Sequence, residues 1–441
     1  MHALLSFLLA CTDPVVPDVG HDTAPPIGSV DTAVDTAPTD TGADTDTVDT
    51  VDDAPEEPDP VVTEEGAEPQ DTSDLAGWIF DQTVMHTVDI TLPDLSESAL
   101  ASSPYMWARA GITIDGEEMA PVGVHLRGKI GSFRTLSGKP KFKISFNQYV
   151  AGQRFYGLEE LSLNNSVVDC SYIKEMVGYR MYELAGIPTL RTSYAQVTVN
   201  GEPYGLYIVL ETPSDKWLDR NYDDASGNLY DGKYVWYGGY SYTLLDFNIG
   251  VDSLFQLEEG TDVANADIAA ISAALAASDG QPTFYDTMGA VLDWDLFHRY
   301  TSVDHFIGHN DGYSMNTNNY RVYFDPTDGK ADFLPWDLDY TFLYDYEWGL
   351  SWQNANGNIT NACFRDASCT AGQAAGMATV LAAWEADDWE PWLDGIEALS
   401  YTATQGDPRR ECAASSVQPY RDYVRSWLEA RPGNMRAYYG L

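Results

Sequence analysis

The densest run of chemically able side chains in this 441-residue chain lies between residues 304 and 339. It reads Asp304-His305-Phe306-Ile307-Gly308-His309-Asn310-Asp311-Gly312-Tyr313, then Asn318-Asn319-Tyr320-Arg321, then Pro335-Trp336-Asp337-Leu338-Asp339. Asn310-Asp311-Gly312 forms a tight turn closing a helical stretch, which sets a carboxylate at an element end, where sites are commonly built. Asn319 opens one predicted strand, and Asp337 and Asp339 end another. At i and i+2 of an extended segment those two share a face. Three carboxylates and an amide in a helix–turn–strand–turn–strand unit make a hard-cation site, suited to Mg²⁺ held with substrate phosphates. The competing account is local, because Asx turns and caps use the same residues.

Other chemistries have weaker support. His305 and His309 stand at i and i+4, the spacing of a helical zinc pair, but no Glu follows His305 as HExxH requires. Ser253 and the other serines lack a GxSxG setting, so a hydrolase triad is unsupported. The aromatic runs Trp236-Tyr237, Tyr240–Tyr242 and Tyr344–Trp348 suit core or lid packing better than ligand stacking.

The elements that must position these residues are readable from periodicity. Val84–Leu92, Ala110–Ile114 and Val122–Arg127 read as strands, and Lys141–Phe146 alternates polar and apolar as a half-buried strand does. Gly157–Asn165 is a short strand with a polar landing. Ser171–Ala185 has helical spacing and is stopped by Gly186 and Pro188. Ser193–Val199 and Tyr204–Leu210 flank Asn200-Gly201 as a hairpin. Beyond it, Asp267–Ala277 and Tyr285–His309 are helical, Asn319–Phe324 and Ala331–Pro335 form a second hairpin, and Val380–Glu390 and Gln418–Glu429 are helical again. A strand-rich first half followed by a helix-rich second half is an α+β arrangement of two lobes with a cleft between them.

The charge divides the chain differently. There are 68 acidic and 24 basic residues, a net charge of −44, with 44% hydrophobic and 12% aromatic residues, so the body is globular. Residues 1–75 carry 19 acids and no Lys or Arg, leaving −25 on the body. A surface this acidic argues against nucleic acid, which needs clustered cations. Residues 12–76 are Asp, Thr, Pro, Ala and Val with repeated Asp-Thr units, the composition of a disordered, self-repelling tether. Ahead of it, Ala3–Ala10 has the size of a signal-peptide apolar region and runs into Leu8-Leu9-Ala10-Cys11, which resembles a bacterial lipobox. Lipidation of Cys11 gives an exported protein held at the cell envelope, touching membrane only through that anchor. The n-region carries only His2 in place of the usual cations. Four cysteines remain, with three possible pairings; Cys363 and Cys369 flank a five-residue loop and can close it, leaving Cys170 with Cys412.

Taken together, NDGY…NNYRVY…DFLPWDLDYTF, preceded by HLRGK…KPKFKISF, LNN…D-x-SYIKE…AGIP and VNGEPYGLYIVLE, resembles the spore-coat protein H (CotH) kinase family over roughly residues 83–345. The tether lies outside that likeness, and 346–441, the helical end of a domain taken as 77–441, matches only weakly. The resemblance implies an atypical protein-kinase-like fold, ATP with Mg²⁺ (Mn²⁺ as a substitute), and phosphorylation of Ser on protein substrates. Asp311 takes the place of the carboxylate near the nucleophile, and Asp337 that of the metal-binding aspartate of ordinary kinases. Asn319 is a second metal ligand and Asp339 a weaker one. Lys143 or Lys141 reaches the ATP phosphates; alternation puts both on one face and does not separate them. Arg127 is a further phosphate cation, and Glu211 a partner for the lysine or the metal. Two departures stand out. The family's RGNSS-like run is Arg127-Gly128-Lys129-Ile130-Gly131-Ser132 here, and the Gly-rich phosphate loop of ordinary kinases is absent. Because ATP is scarce outside the cytoplasm, the alternative is a non-catalytic binding or structural module, a pseudokinase or adhesin, on the same scaffold.

Overall fold

A computed structural model of the chain describes residues 74–129, 131–232, 235–237, 241–344 and 351–441, all within one unit, Glu68–Leu441. The signal segment with Cys11, the tether to residue 73, and residues 345–350, which take in most of the last aromatic run, lie outside the described residues, as do the side chains of the other two runs.

Seven strands form the first lobe: β1 (Met85–Thr91), β2 (Ala108–Ile114), β3 (Glu117–Arg127), β4 (Lys141–Ser145), β5 (Glu160–Asn164), β6 (Thr192–Val199) and β7 (Glu202–Glu211). They close into a barrel in the order β1-β2-β3-β4-β5-β7-β6. Every neighbouring pair is antiparallel except β1 and β6, whose parallel pairing from Met85↔Tyr194 to Ile90↔Val199 seals the ring. Alternation fills the interior: Val88, Ile112, Val124, Phe142, Ile144, Leu161, Leu163 and Val209 are all essentially inaccessible. The Asn200-Gly201 turn takes φ of 51° and 78°, the left-handed geometry that a two-residue hairpin needs.

In β4 the apolar residues point into the barrel as alternation requires, but the polar face is not solvated. Lys141 and Ser145 are as buried as Phe142, because that face meets the second lobe. The strand is therefore buried on both sides rather than half-buried.

Two short strands, β9 (Val235–Tyr237) and β10 (Ser241–Thr243), pair with each other. The second lobe holds the sheet β11-β8-β12-β13, made of β8 (Asn228–Asp231), β11 (Gln256–Glu259), β12 (Tyr320–Asp325) and β13 (Lys330–Pro335). Helix α1 (Asp94–Ser102) lies against the barrel, and α2 (Lys174–Leu184) runs beneath the cleft. They are followed by α3 (Asp215–Asn221), α4 (Ala266–Ser278), α5 (Phe284–Met288), α6 (Trp294–Ile307), α7 (Tyr313–Asn316), α8 (Asn358–Cys363), α9 (Ala367–Ala386), α10 (Trp389–Gly406) and α11 (Val417–Tyr439). One large core joins α2, α6, α9 and α11 to the sheet and includes Tyr194, Leu206, Ile208 and Leu210 of the barrel wall.

Two disulfides join Cys170 to Cys412 and Cys363 to Cys369. The first ties the loop before α2 to the segment before α11. Close by, Lys139 and Asp407, both buried, pair at 2.6 Å, so the C-terminal region is bolted to the barrel by a covalent and an ionic link. Among the described residues no helix is long and apolar enough to cross a membrane.

Candidate active site

The two-lobed α+β arrangement leaves a cleft of about 1210 Å³, walled by β3, β4 and β5 on one side and by β8, β11 and the 311–340 segment on the other. Asp311, Asn319, Asp337, Asp339, Arg127 and Lys143 all line it.

Local sequence sets the second-lobe wall. Helix α6 stops at Ile307 because Gly308 adopts the left-handed conformation (φ 59°). The turn that follows presents Asp311, and α7 brings the chain back across it. Three amides then converge on that carboxylate. Asn316 donates to Oδ1 at 2.6 Å, Asn318 to Oδ1 at 3.3 Å and Asn319 to Oδ2 at 2.9 Å. Burial pushes the Asp311 pKa up, against the pull of these donors. Thr317 and Asn319 flank the turn at φ 47° and 49°; Asn tolerates this region, while a β-branched Thr there is strained.

Asp337 is also left-handed (φ 48°), so Asp337-Leu338-Asp339 is kinked rather than extended. The two carboxylates nonetheless meet, on a lysine: Nζ of Lys141 donates to Oδ1 of Asp337 and to Oδ2 of Asp339, both at 2.7 Å. Lys141 is 1% exposed. Burial works to lower its pKa, but Asp337, Asp339 and Glu175 outweigh it and hold the ammonium charged. The charge balance separates the two acids. Burial opposes ionisation of Asp337, yet Lys141 and Arg127 keep its pKa below the usual value, whereas burial and the Asp337 charge push Asp339 up to about 6.

The structure separates the two lysines that alternation leaves equivalent. Lys143 shares the face but is partly exposed, lines the cleft and pairs with Glu160 at 2.7 Å. Arg127, the register partner of Lys141, donates to Asn164 at 3.5 Å and lies 5.0 Å from the Trp336 ring.

Glu211 is a correction. It ends β7, is buried, and is enclosed by Arg191 (2.7 Å) and Arg220 (2.6 Å), so its charge is consumed by two arginines outside the cleft. The acid that does face the lysine is Glu175 in α2. Asn164 donates to its Oε1 at 2.7 Å. Burial, reinforced by Asp337 and Asp339 and opposed by Lys141, pushes its pKa up to about 8. The available signal was an acid inside a helix whose neighbours Met176 and Val177 are core-type residues. Asn316, which donates to Asp311, stands five residues after it, the spacing of the catalytic-loop Asp and metal-binding Asn of kinases.

The histidine pair does not form a metal site. His309 lies past the end of α6, and its Nδ1 meets Asp304 at 3.0 Å, while His305 meets the Tyr439 hydroxyl at 2.8 Å and stacks on Trp352. His298 adjoins Cys363 and Cys369, whose sulfurs are already joined to each other.

A divalent metal fits the acidic cluster. Asp337 and Asp339 share one buried ammonium, which contacts only one oxygen of each, and Glu175 lies within electrostatic reach of the same group. The remaining donors are carboxylate and amide oxygens, which suit a hard divalent cation and not a thiolate- or imidazole-seeking ion.

The CotH kinase protein family matches residues 124–376, more than half of the chain, including every residue of the cleft wall named above. No curated protein matches. Among solved structures, HipA of Shewanella oneidensis MR-1, in a toxin–antitoxin complex with HipB and operator DNA, is similar at 12% identity and a TM-score of 0.30, over 71% of this chain and 68% of that one. The proinflammatory kinase CtkA of Helicobacter pylori is similar at 11% identity and a TM-score of 0.25, over 66% of this chain and 90% of that one. Both likenesses are too distant to bear on fold or function. On the family match, the chain belongs to the CotH kinase family.

Proposed function

We propose that this protein kinase uses ATP and Mg²⁺, or Mn²⁺, to phosphorylate serine hydroxyls of protein substrates at the cell envelope. The observation that carries the reading is the convergence of Asp311 from one loop and Asp337 from another on one cleft, with Lys141 of the barrel bridging Asp337 and Asp339.

Phosphoryl transfer asks a protein for positioning and charge neutralisation more than for covalent chemistry. Asp337, with Asp339 and the amide oxygens of Asn316 and Asn319, would hold the metal. A metal held by these residues would neutralise phosphate charge. Lys141 holds both aspartates in place, and Arg127 and Lys143 are the first-lobe cations that meet phosphate oxygens. Asp311, oriented by three amides, accepts the proton of the acceptor hydroxyl as its oxygen bonds to the terminal phosphorus and the diphosphate departs. Two disulfides, the lipobox-like Cys11 and the acidic tether support an exported, lipid-anchored protein.

The test is incubation of the full chain with radiolabelled ATP, Mg²⁺ and a panel of serine-bearing protein acceptors. Label recovered as phosphoserine is the expected result; no label with either Mg²⁺ or Mn²⁺ rejects the proposal.

A further inference from the structure

His298 in α6, Cys363 at the end of α8 and Cys369 in the first turn of α9 form a buried group, none of them lining the cleft. One ligating atom from each lies within 4.8 Å of the other two. Helix α9 is pressed onto the imidazole: a Cβ at Gly372 would collide with Nε2, and one at Gly376 with the His298 carbonyl group. The Nε2 edge of the ring therefore faces the start of α9, which carries Cys369. The other edge fixes the tautomer. The Gln373 amide nitrogen donates to Ser302 Oγ at 2.9 Å and to the His298 carbonyl at 3.3 Å, so its Oε1 is the acceptor, 3.2 Å from Nδ1. Nδ1 thus carries the proton and Nε2 the lone pair. The Tyr285 hydroxyl, 3.5 Å from Nε2, stands at the outer limit of a hydrogen bond. Burial lowers the His298 pKa and keeps the ring neutral. A neutral imidazole whose N–H is held by a carbonyl oxygen is the form that ligates metal.

We propose that, once the Cys363–Cys369 disulfide is reduced, these three side chains bind a thiolate-seeking divalent ion such as Zn²⁺. The reductant is a dithiol: its two electrons and two protons pass to the protein sulfurs, the S–S bond breaks, and the dithiol leaves as its cyclic disulfide. Metal binding then displaces one proton from each cysteine, while Nε2 gives its lone pair without losing a proton. The two cysteine Cα atoms are 5.1 Å apart, which is compatible with sulfurs about 3.8 Å apart, the separation set by two zinc–sulfur bonds of about 2.3 Å at a tetrahedral angle. Three protein ligands leave the fourth position open. The loop between α8 and α9 has two alternative closures in this account, a disulfide when oxidised and a metal when reduced. The site is independent of phosphoryl transfer, since one nitrogen and two sulfurs select a softer ion than the carboxylates of the cleft.

The test is titration of the full chain with Co²⁺ in excess Mg²⁺, before and after reduction by a phosphine. The readout is thiolate-to-cobalt charge-transfer absorption, which the oxygen ligands of the cleft do not give. Reduced protein is expected to show this absorption and to lose it on addition of Zn²⁺, and oxidised protein to show none. Cys412→Ser, which removes only the other disulfide, is expected to keep the signal. Cys369→Ser is expected to abolish it, and Gln373→Leu to weaken binding about 10- to 100-fold. Zn²⁺ is also expected to raise the urea midpoint of the reduced protein and not that of reduced Cys369→Ser, a comparison that holds even where reduction alone loosens the fold. Absence of the absorption in reduced protein, its persistence in Cys369→Ser, its loss in Cys412→Ser, or a midpoint unmoved by Zn²⁺ overturns the proposal.

Discussion

The ammonium of Lys141 and the carboxylate of Asp337 lie 2.7 Å apart across the cleft, joining the fourth strand of the barrel to the loop after β13. Since Lys141 also reaches Asp339 at 2.7 Å, one buried cation fixes two of the acids proposed to hold metal. The position of the barrel relative to the second lobe thus depends on the same contact that orders the site.

The two lysines of β4 should behave differently. Lys141→Met leaves buried carboxylates without their cation and should cost about 3–5 kcal/mol of stability, with transfer activity lost. Lys143→Met breaks a partly exposed pair and should cost about 1 kcal/mol or less of stability, while loss of a cation that meets phosphate should lower transfer chiefly by raising the KM for ATP. Urea unfolding alongside a transfer assay distinguishes them; equal losses in both variants contradict the separation.

Gly178 places α2 directly on the Asp337-Leu338-Asp339 kink. A Cβ there would lie 2.8 Å from Cδ1 and 3.3 Å from Cβ of Leu338. Gly178→Val should cost about 1–3 kcal/mol by overpacking and shift the kink, lowering transfer at least tenfold in protein that remains folded by circular dichroism. Full activity in the folded variant contradicts close packing at this point.

Much of this architecture is legible in the chain because its causes are local. Period-two runs and the Asn200-Gly201 turn give the strands of the barrel, and Gly308 gives the end of α6. Closure of the barrel is not legible, since the β1–β6 pairing joins segments about a hundred residues apart with no local mark. The site divides the same way. Asp311, Asn319, Asp337 and Asp339 lie close in sequence and meet in the cleft. Lys141 and Lys143 are equivalent by alternation, and only the docking of the second lobe buries one and leaves the other partly exposed. Glu211 ends a strand in the sequence like the site acids, but Arg191 and Arg220 capture it. Glu175 carries no such mark, because a helix interior gives no hint of which acid faces a strand well before it in the chain.

Stability should depend on pH through Asp332. Burial, with Asp293 and other acids nearby, pushes it up to about 7. Its contribution is complete below about pH 4, where folded and unfolded chains are both protonated. It is lost as pH rises through about 7, because the unfolded chain ionises first. Asp332→Asn should therefore gain in urea midpoint relative to the unaltered protein on going from pH 5 to pH 8. A parallel pH dependence in the two proteins would show that Asp332 is not the group responsible.

The disulfides should rank by the length of chain they close. Cys170–Cys412 spans 242 residues and Cys363–Cys369 spans 6, so chain entropy gives about 5 and about 2 kcal/mol respectively. Cys412→Ser should lower the urea midpoint more than Cys369→Ser; the reverse order contradicts the assigned role of the long-range link.

The most direct test of the central claim pairs Asp311→Asn with Asp337→Asn and measures both Mg²⁺–ATP binding and phosphate transfer to serine. Asp311→Asn should bind nucleotide about as well as the unaltered protein but transfer almost no phosphate. Asp337→Asn should lose both Mg²⁺-dependent binding and transfer. Transfer unaffected by either substitution would contradict a cleft built on these two aspartates.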